Sequence, residues 1–335
     1  MTAHTGVADP VRTIVHLTNG VAASRAVQAI AELGVADANG PDEEVAVAVL
    51  ALRTACHPDA LHRVLRLHES HGVFRSEQDC WSHTATSVVL RSDHPTSIRA
   101  YARMIGQPSS WEAMTQLSTC VRTGRPAPIL DEVGGTFGYL AQHPAQLAVF
   151  DDAMIAKAHA DIAGILATVD FSGYATIADI GGGRGHLLRA ITARHPETRG
   201  ILFDLPHVIE HVERDTTCSL TCHPGDFFVD QLPSADLAIL MQVIHDWDDV
   251  AARRILSAVA ASASTGSTLM LFVWLLADQP TDDAANVLDV FMLAATGGRE
   301  RTATAYTALL AETGFDDITV RQIIGPMFVI QASRR

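Results

Sequence analysis

The sequence predicts a two-part α/β protein, in which a mainly helical N-terminal half of winged-helix outline precedes a doubly wound parallel sheet. Three observations carry this. The first half shows apolar residues at helical spacing, with a short hairpin after its helices. From Ala175 onward, short apolar runs alternate with helix-like segments, and the first of these runs ends in a glycine turn. At 335 residues the chain can bury two cores. The expected division is 1–165 for the helical part and 166–335 for the part built on the sheet.

The elements follow in order. Residues 11 to 75 read as short amphipathic helices. The first stretch, "VRTIVHLTNGVAASRAVQAIAELGV", places Ile14, Val15, Leu17, Val21, Ala22, Val27, Ile30 and Leu33 at mostly three-to-four spacing and closes at Gly34. "HPDALHRVLRLHESHGVF" opens on a His-Pro helix entry, keeps Leu61, Val64, Leu65 and Leu67 on one face and stops at Gly72. "VFRSEQDCWSHT" then reads as a hairpin with a polar turn from Glu77 to Asp79. Pro108, Gly124, Pro126, Pro128 and Gly134-Gly135 break the next segment into short helices, and a longer helix runs from about Pro144 to Val169. The strands of the second half are "ATIADI", "TRGILFDL", "ADLAILMQVI", "STLMLFVWLL" and "MFVIQAS".

Composition narrows the function classes. With 48% apolar and 19% charged residues and no uninterrupted apolar run of about 18 residues, a soluble protein without a membrane span is expected. The start "MTAHTGVADPVRTIVHL" lacks the pattern of a secretory signal, so a cytoplasmic location is expected. A formal charge of −14 repels nucleic acid and anionic membrane. The five cysteines are odd in number and scattered, which fits reduced thiols. Cys218, Cys222 and His223 in "CSLTCH" have no second ligand pair and read as surface loop, so no metal site is expected there.

The chemistry gathers at strand ends. "IADIGGGRGHLLRAI" puts Gly181, Gly182, Gly183 and Gly185 at a strand-to-helix turn, where main-chain N–H groups can face a ligand. The dinucleotide fingerprint G-x-G-x-x-G fails, because its last position falls on His186 or Leu188, and a nicotinamide cofactor is disfavoured. Asp179 precedes the turn. Asp204, about 20 residues beyond it at the next strand end, is placed to accept from both ribose hydroxyls of an adenosine cofactor. Asp226 and Phe227 follow the third element, an acid for the adenine amino group with an aromatic beside the ring. Taken singly, each is also compatible with a bare turn or a loop acid.

Taken together, "DIGGGRGHLL", "GILFDLPHVIE", "GDFF", "LMQVIHDWDD", "GGRERT" and "LLAETGF" resemble, in order and spacing, the O-methyltransferase family of plant phenolic and bacterial polyketide-tailoring enzymes. "LHRVLRLHESHGVF" resembles that family's dimerisation domain. The resemblance implies a Rossmann-like methyltransferase sheet, S-adenosyl-L-methionine as cofactor, a homodimer and a small aromatic or polyketide-like substrate. It places cofactor contacts at Asp179, Gly181, Gly183, Asp204, Leu205, Asp226, Phe227, Met241 and Trp247. The general base falls on His245 with Glu300 behind it, and substrate-facing positions on Phe150, Met154, Leu288, Phe291, Met292 and Thr296. The apolar stripe "NVLDVFMLA" is equally compatible with plain core.

A phenol with a pKa of about 10 facing an ordinary imidazole near 6.5 makes full proton transfer uphill by about 5 kcal/mol, so such a base needs carboxylate support. In the family two glutamates flank the histidine. Here Glu300 matches one of them, while the other position holds Val273, and Met241 stands where plant members carry a lysine. Two enzyme readings follow: methyl transfer with His245 and Glu300 sufficing, or a cofactor-binding member doing pericyclic, dehydration or hydroxylation chemistry. A DNA-binding regulator using the winged-helix half is opposed by the acidic balance and by the complete cofactor set.

Overall fold

The computed structural model describes residues 9–212, 220–279 and 283–335. Two compact units emerge, one from the described residues up to Trp111 together with 144–157, the other from 112–143 and 158–335.

In the first unit α1 (Pro10–Leu33) is a single helix where shorter pieces were expected. Asp9 caps its start by accepting the Val11 N–H at 3.0 Å, Pro10 fits the first turn, and Gly34 closes it in a left-handed conformation. Ile30 is buried, but Ile14, Leu17 and Val21 of the early turns are 63%, 68% and 51% exposed, so their spacing does not mark a core face within this unit. The short β1 (Val45–Ala46) leads into α2 (Val47–Arg53) and α3 (Pro58–Ser70), and the hairpin β2 (Phe74–Glu77) and β3 (Cys80–His83) follows. The hairpin turns through Gln78 and Asp79, both with positive φ as a tight two-residue turn requires. The sheet order β1-β3-β2 beside α1, α2 and α3 gives the winged-helix outline, with Ile30, Leu50, Leu65, Phe74 and Trp81 in its core. Prolines and glycines then delimit α4 (Arg99–Ile105) and α5 (Pro108–Thr115), and, in residues that belong to the second unit, α6 (Leu117–Thr123), α7 (Pro128–Asp131) and α8 (Gly135–Ala141), before the long α9 (Pro144–Thr168), whose residues are divided between the units.

The second unit is built on β4 (Thr176–Ile180), α10 (His186–Arg194), β5 (Arg199–Asp204), α11 (Pro206–Ile209), β6 (Leu220–Pro224), β7 (Leu237–Met241), α12 (Asp249–Ser262), β8 (Thr268–Leu276), α13 (Asp283–Ala295), β9 (Arg301–Thr302), α14 (Ala303–Glu312), β10 (Phe315–Ile324) and β11 (Met327–Arg334). The sheet runs β10-β11-β8-β7-β4-β5-β6, with β9 pairing β8. Helices cover both faces: Leu256 of α12 and Leu310 of α14 pack on one side, Ile165 of α9 and Leu188 of α10 on the other. The chain leaves β4 for β5 on one side and later returns to β7 on the other, so the carboxyl ends of β4 and β7 flank the switch point where such sheets bind ligands.

Two expectations are corrected. Cys222 and His223 lie in the parallel edge strand β6, paired with β5, not in a surface loop; Cys218 is outside the described residues. The sheet is also not wholly parallel, because β10 and β11 form an antiparallel hairpin on β8. β10 escapes a reading by apolar pattern because it is an edge strand: only Phe315 is buried, and main-chain pairing to β11 holds the rest.

Candidate active site

After β4 the chain makes its glycine turn, and the reason for glycine is steric at Gly182. A Cβ there would stand 2.5 Å from the Asp179 carboxyl carbon and 2.6 Å from Leu202. Gly183, at φ +59, has nothing near its Cβ direction and donates its N–H to Asp204 Oδ2 at 2.7 Å. The Leu205 N–H reaches Asp204 Oδ1 at 2.7 Å. Each Asp204 oxygen thus accepts one main-chain proton and keeps capacity for a ligand hydroxyl.

Beneath the turn, Asp179 is 1% exposed and its Oδ1 has no hydrogen-bond partner among the described residues. Burial, and then the Asp204 carboxylate, push its pKa up to about 7. Burial also raises Asp204, against the lowering effect of the two N–H donors. Two carboxylates held out of water beside an open glycine turn suit a cationic, hydroxyl-rich ligand.

Beyond β6, Asp226 is fixed by the Phe228 N–H on its Oδ1 at 2.8 Å, and its own N–H donates to Asp230. Phe227, Phe228 and Trp247 meet edge to face, with ring centres 4.7 to 5.8 Å apart. A concavity of about 330 Å³ opens by Phe227 and Phe228 and is lined further by Arg253, Arg254 and Ser257, so it contains neither His245 nor Glu300. Met241 ends β7, half-buried.

Beyond β7 the chain starts with a strained step. Gln242 takes φ 55, a left-handed conformation that costs a non-glycine residue of order 1–3 kcal/mol. Its N–H is held by the Phe272 carbonyl at 2.9 Å. A single 3-10 turn, Ile244–Asp246, then carries His245, which is 6% exposed. His245 Nδ1 lies 2.6 Å from Glu300 Oε1, and the Glu300 side chain is fully buried. A carboxylate facing Nδ1 favours the tautomer in which Nδ1 donates and Nε2 keeps its lone pair. Nε2 has a second carboxylate 3.8 Å away, Oδ1 of Asp246.

The segment 297–301 clamps this turn. A Cβ on Gly298 would collide with the His245 carbonyl and the Asp246 backbone. The Arg299 N–H donates to the His245 carbonyl at 2.8 Å. The Arg301 guanidinium, 3% exposed, donates to the carbonyls of Ile244 at 3.1 Å and Trp247 at 2.9 Å and to Asp249 at 2.8 Å. The Glu300 N–H is held in turn by Asp289 of α13 at 2.8 Å. Beside them, burial and then Glu300 push the Tyr306 hydroxyl well above its ordinary pKa. Val273 is 2% exposed and packs in the cluster that holds Ile244, Leu271 and Tyr306.

On α13, Leu288 and Phe291 are half-buried and Met292 is 8% exposed, and the Thr296 hydroxyl accepts the Gly298 N–H at 3.1 Å. Phe150 and Met154 are half-buried on the part of α9 that belongs to the first unit. The structure therefore brings His245 together with Glu300, and Asp204 with the glycine turn. Sequence reasoning passed over Asp246, Asp289, Gly298 and Arg301 as individual residues; the signals were the acidic neighbour of His245 and the unexplained letters of "GGRERT".

Residues 114–316 match the O-methyltransferase domain model, and residues 15–93 match the O-methyltransferase dimerisation domain. The chain belongs to the S-adenosylmethionine-dependent O-methyltransferase family. It is 36% identical to the O-methyltransferase SfmM3 of Streptomyces lavendulae over 93% of this chain and 96% of that protein. It is 34% identical to the phenazine O-methyltransferase PhzM of Lysobacter antibioticus, over 90% of each chain. It superposes on human N-acetylserotonin methyltransferase, solved in complex with S-adenosylmethionine, with a TM-score of 0.87 at 25% identity, covering 100% of this chain and 99% of that one. The family is one of secondary-metabolite tailoring enzymes, and its cofactor is S-adenosyl-L-methionine. The residues present fit that cofactor: an open turn at Gly183, acceptor capacity left on Asp204, the orphaned Asp179 Oδ1 and an aromatic corner. Among the described residues, no helix is long and apolar enough to cross a membrane.

Proposed function

We propose that this enzyme methylates a hydroxyl of a small aromatic or polyketide-like secondary metabolite, with His245 as general base supported by Glu300. The observation that carries the reading is the buried 2.6 Å contact between His245 Nδ1 and Glu300 Oε1. It fixes the tautomer that leaves Nε2 free to accept a proton and balances the imidazolium that forms. S-adenosylmethionine supplies, when bound, a sulfonium methyl whose S–C electron pair stays with sulfur. Main-chain groups at Gly181 and Gly183 with Asp179 line the methionine side, Asp204 holds the ribose, and Leu205, Asp226, Phe227, Met241 and Trp247 surround the adenine. Leu288, Phe291, Met292 and Thr296 face the acceptor.

Residues 1–165 serve dimerisation and 166–335 catalysis. A homodimer is supported by the matched dimerisation domain and by the exposed apolar side chains of α1, which a second copy covers. The free thiols Cys56, Cys80, Cys120 and Cys222 suit a cytoplasmic location. Phenolic acceptors are favoured because the relatives named for a phenazine and for N-acetylserotonin act on aromatic molecules. The test is mass spectrometry of N-acetylserotonin, hydroxyphenazines and other phenols incubated with the enzyme and cofactor. A gain of one methyl is expected, and conversion without that gain rejects the reading. Val273 supports a second reading, since apolar packing fills a position where the family carries a glutamate. On that reading the same pocket serves a pericyclic, dehydration or hydroxylation reaction, and the product of the same assay carries no added methyl.

A further inference from the structure

We propose that Asp179 holds a proton in the free enzyme and gives it up to solvent as the cationic cofactor seats, so that cofactor capture at the glycine turn is coupled to proton release. The proposal rests on the reading that Asp179 lines the methionine side of the cofactor. Its observation is a carboxyl group shut beneath the turn. Asp179 is 1% exposed, its Oδ1 meets no donor among the described residues, and its Oδ2 lies 2.6 Å from where a Cβ on Gly182 would stand.

A charge on an oxygen that has neither water nor a donor is unfavourable, and a proton relieves it. Asp204 makes the contrast. It too is raised by burial, yet two main-chain N–H groups at 2.7 Å support its charge. In the free site the charge therefore sits on Asp204 and the proton on Asp179, whose pKa burial and then Asp204 push up to about 7. Alternation along β4 turns Asp179 to the face of Ile177, against α9 and α10. At this end β5 brings Asp204, the turn brings Arg184, and β7 brings no titratable side chain. His186 and Arg189 come from α10, and His159 and Asp161 from α9, with the His159 and His186 rings edge to face at 5.5 Å. Among the described residues, Asp204 is the one charge that shifts the Asp179 carboxyl.

S-adenosylmethionine carries a sulfonium and an ammonium, and positive charge beside Asp179 favours its ionised form. The carboxyl O–H bond breaks, the electron pair stays on oxygen, and the proton passes to solvent. Affinity for the cofactor then rises with pH and levels off above about pH 7, where Asp179 is ionised before the cofactor arrives.

The test is calorimetric titration of S-adenosylmethionine into wild type and Asp179→Asn, without acceptor, at about pH 5, 6 and 7. Two buffers of different ionisation enthalpy at each pH count the protons. Wild type is expected to release about 0.7 to 0.9 proton per site more than Asp179→Asn near pH 6, and about 0.5 more near pH 7. It should bind roughly 10- to 50-fold tighter near pH 7 than near pH 5, whereas the affinity of Asp179→Asn changes by less than about 3-fold. Difference infrared spectra should show a protonated-carboxyl band that wild type loses on cofactor addition and that Asp179→Asn lacks. Equal proton counts in the two proteins, a wild-type affinity indifferent to pH, or a carboxyl band unchanged by the cofactor overturns the proposal. Should Asp179→Asn not fold, wild type decides alone: no proton released, or no loss of the band, overturns it. Asp179→Asn that binds as tightly as wild type near pH 7 rejects the reading of Asp179 as a cofactor contact. Weaker binding there with no difference in proton count rejects the proton coupling alone.

Discussion

After β4 the chain offers a ligand an open glycine turn and two carboxylates with acceptor atoms to spare; after β7 it offers one histidine whose surroundings are almost fully bonded by its own chain. Asp179 Oδ1 is unpartnered and Gly183 is open, whereas the His245 turn is tied by Arg299, Glu300 and Arg301. The difference separates recognition from reaction. On the proposed roles, the β4 end is left incomplete for a cofactor to finish, and the β7 end is largely tied beforehand so that a proton acceptor is already in place. Variants at the first should act on cofactor affinity, and variants at the second on turnover.

The largest effect expected is His245→Ala, which lowers kcat by roughly two to four orders of magnitude while calorimetric cofactor affinity holds. Lost affinity of the same size would erase the distinction. Next comes Asp179. Its folded pKa, about 7, lies above the ordinary 3.8, so the native state binds the extra proton: stability is full below about pH 4 and is lost as pH rises through 7. Asp179→Asn removes a penalty of at most about 4 kcal/mol above pH 7, and should flatten the fall in melting temperature between pH 5 and 8. An unchanged slope rejects it. Asp204→Asn should weaken cofactor binding by roughly 10- to 100-fold, as lost hydrogen bonds to a charged group do, with kcat at saturating cofactor retained. The smallest is Arg301→Lys, which cannot reach two carbonyls and Asp249 together. Turnover should fall by about 3- to 10-fold with affinity unchanged, measured by the same two assays.

How much of this was legible depends on which atoms carry it. Interior strands such as β4 and β8 announce themselves by apolar runs, and His245, Glu300 and Asp204 by motif. β6 and β10 are edge strands held by main-chain pairing, to which side-chain pattern is nearly blind. Exposed Ile14 and Leu17 show the converse, an apolar spacing that a single chain does not bury. Gly298 and Arg301 act on carbonyl oxygens of residues more than 50 positions earlier, and Asp289 acts on an amide, so their side-chain chemistry hints at nothing. The Asp246 contact depends on how a 3-10 turn aims two adjacent side chains, which spacing does not specify.

Asp289 sits on α13 between Leu288 and Phe291, two positions assigned to the acceptor, and its carboxylate grips the amide of Glu300. On the proposed roles, substrate choice and proton removal are thereby geared together. Anyone redesigning the enzyme for a bulkier acceptor by shifting or exchanging that helix will also turn the carboxylate behind His245. A donor segment reaching from 283 through 301 should therefore transplant more cleanly than the helix by itself.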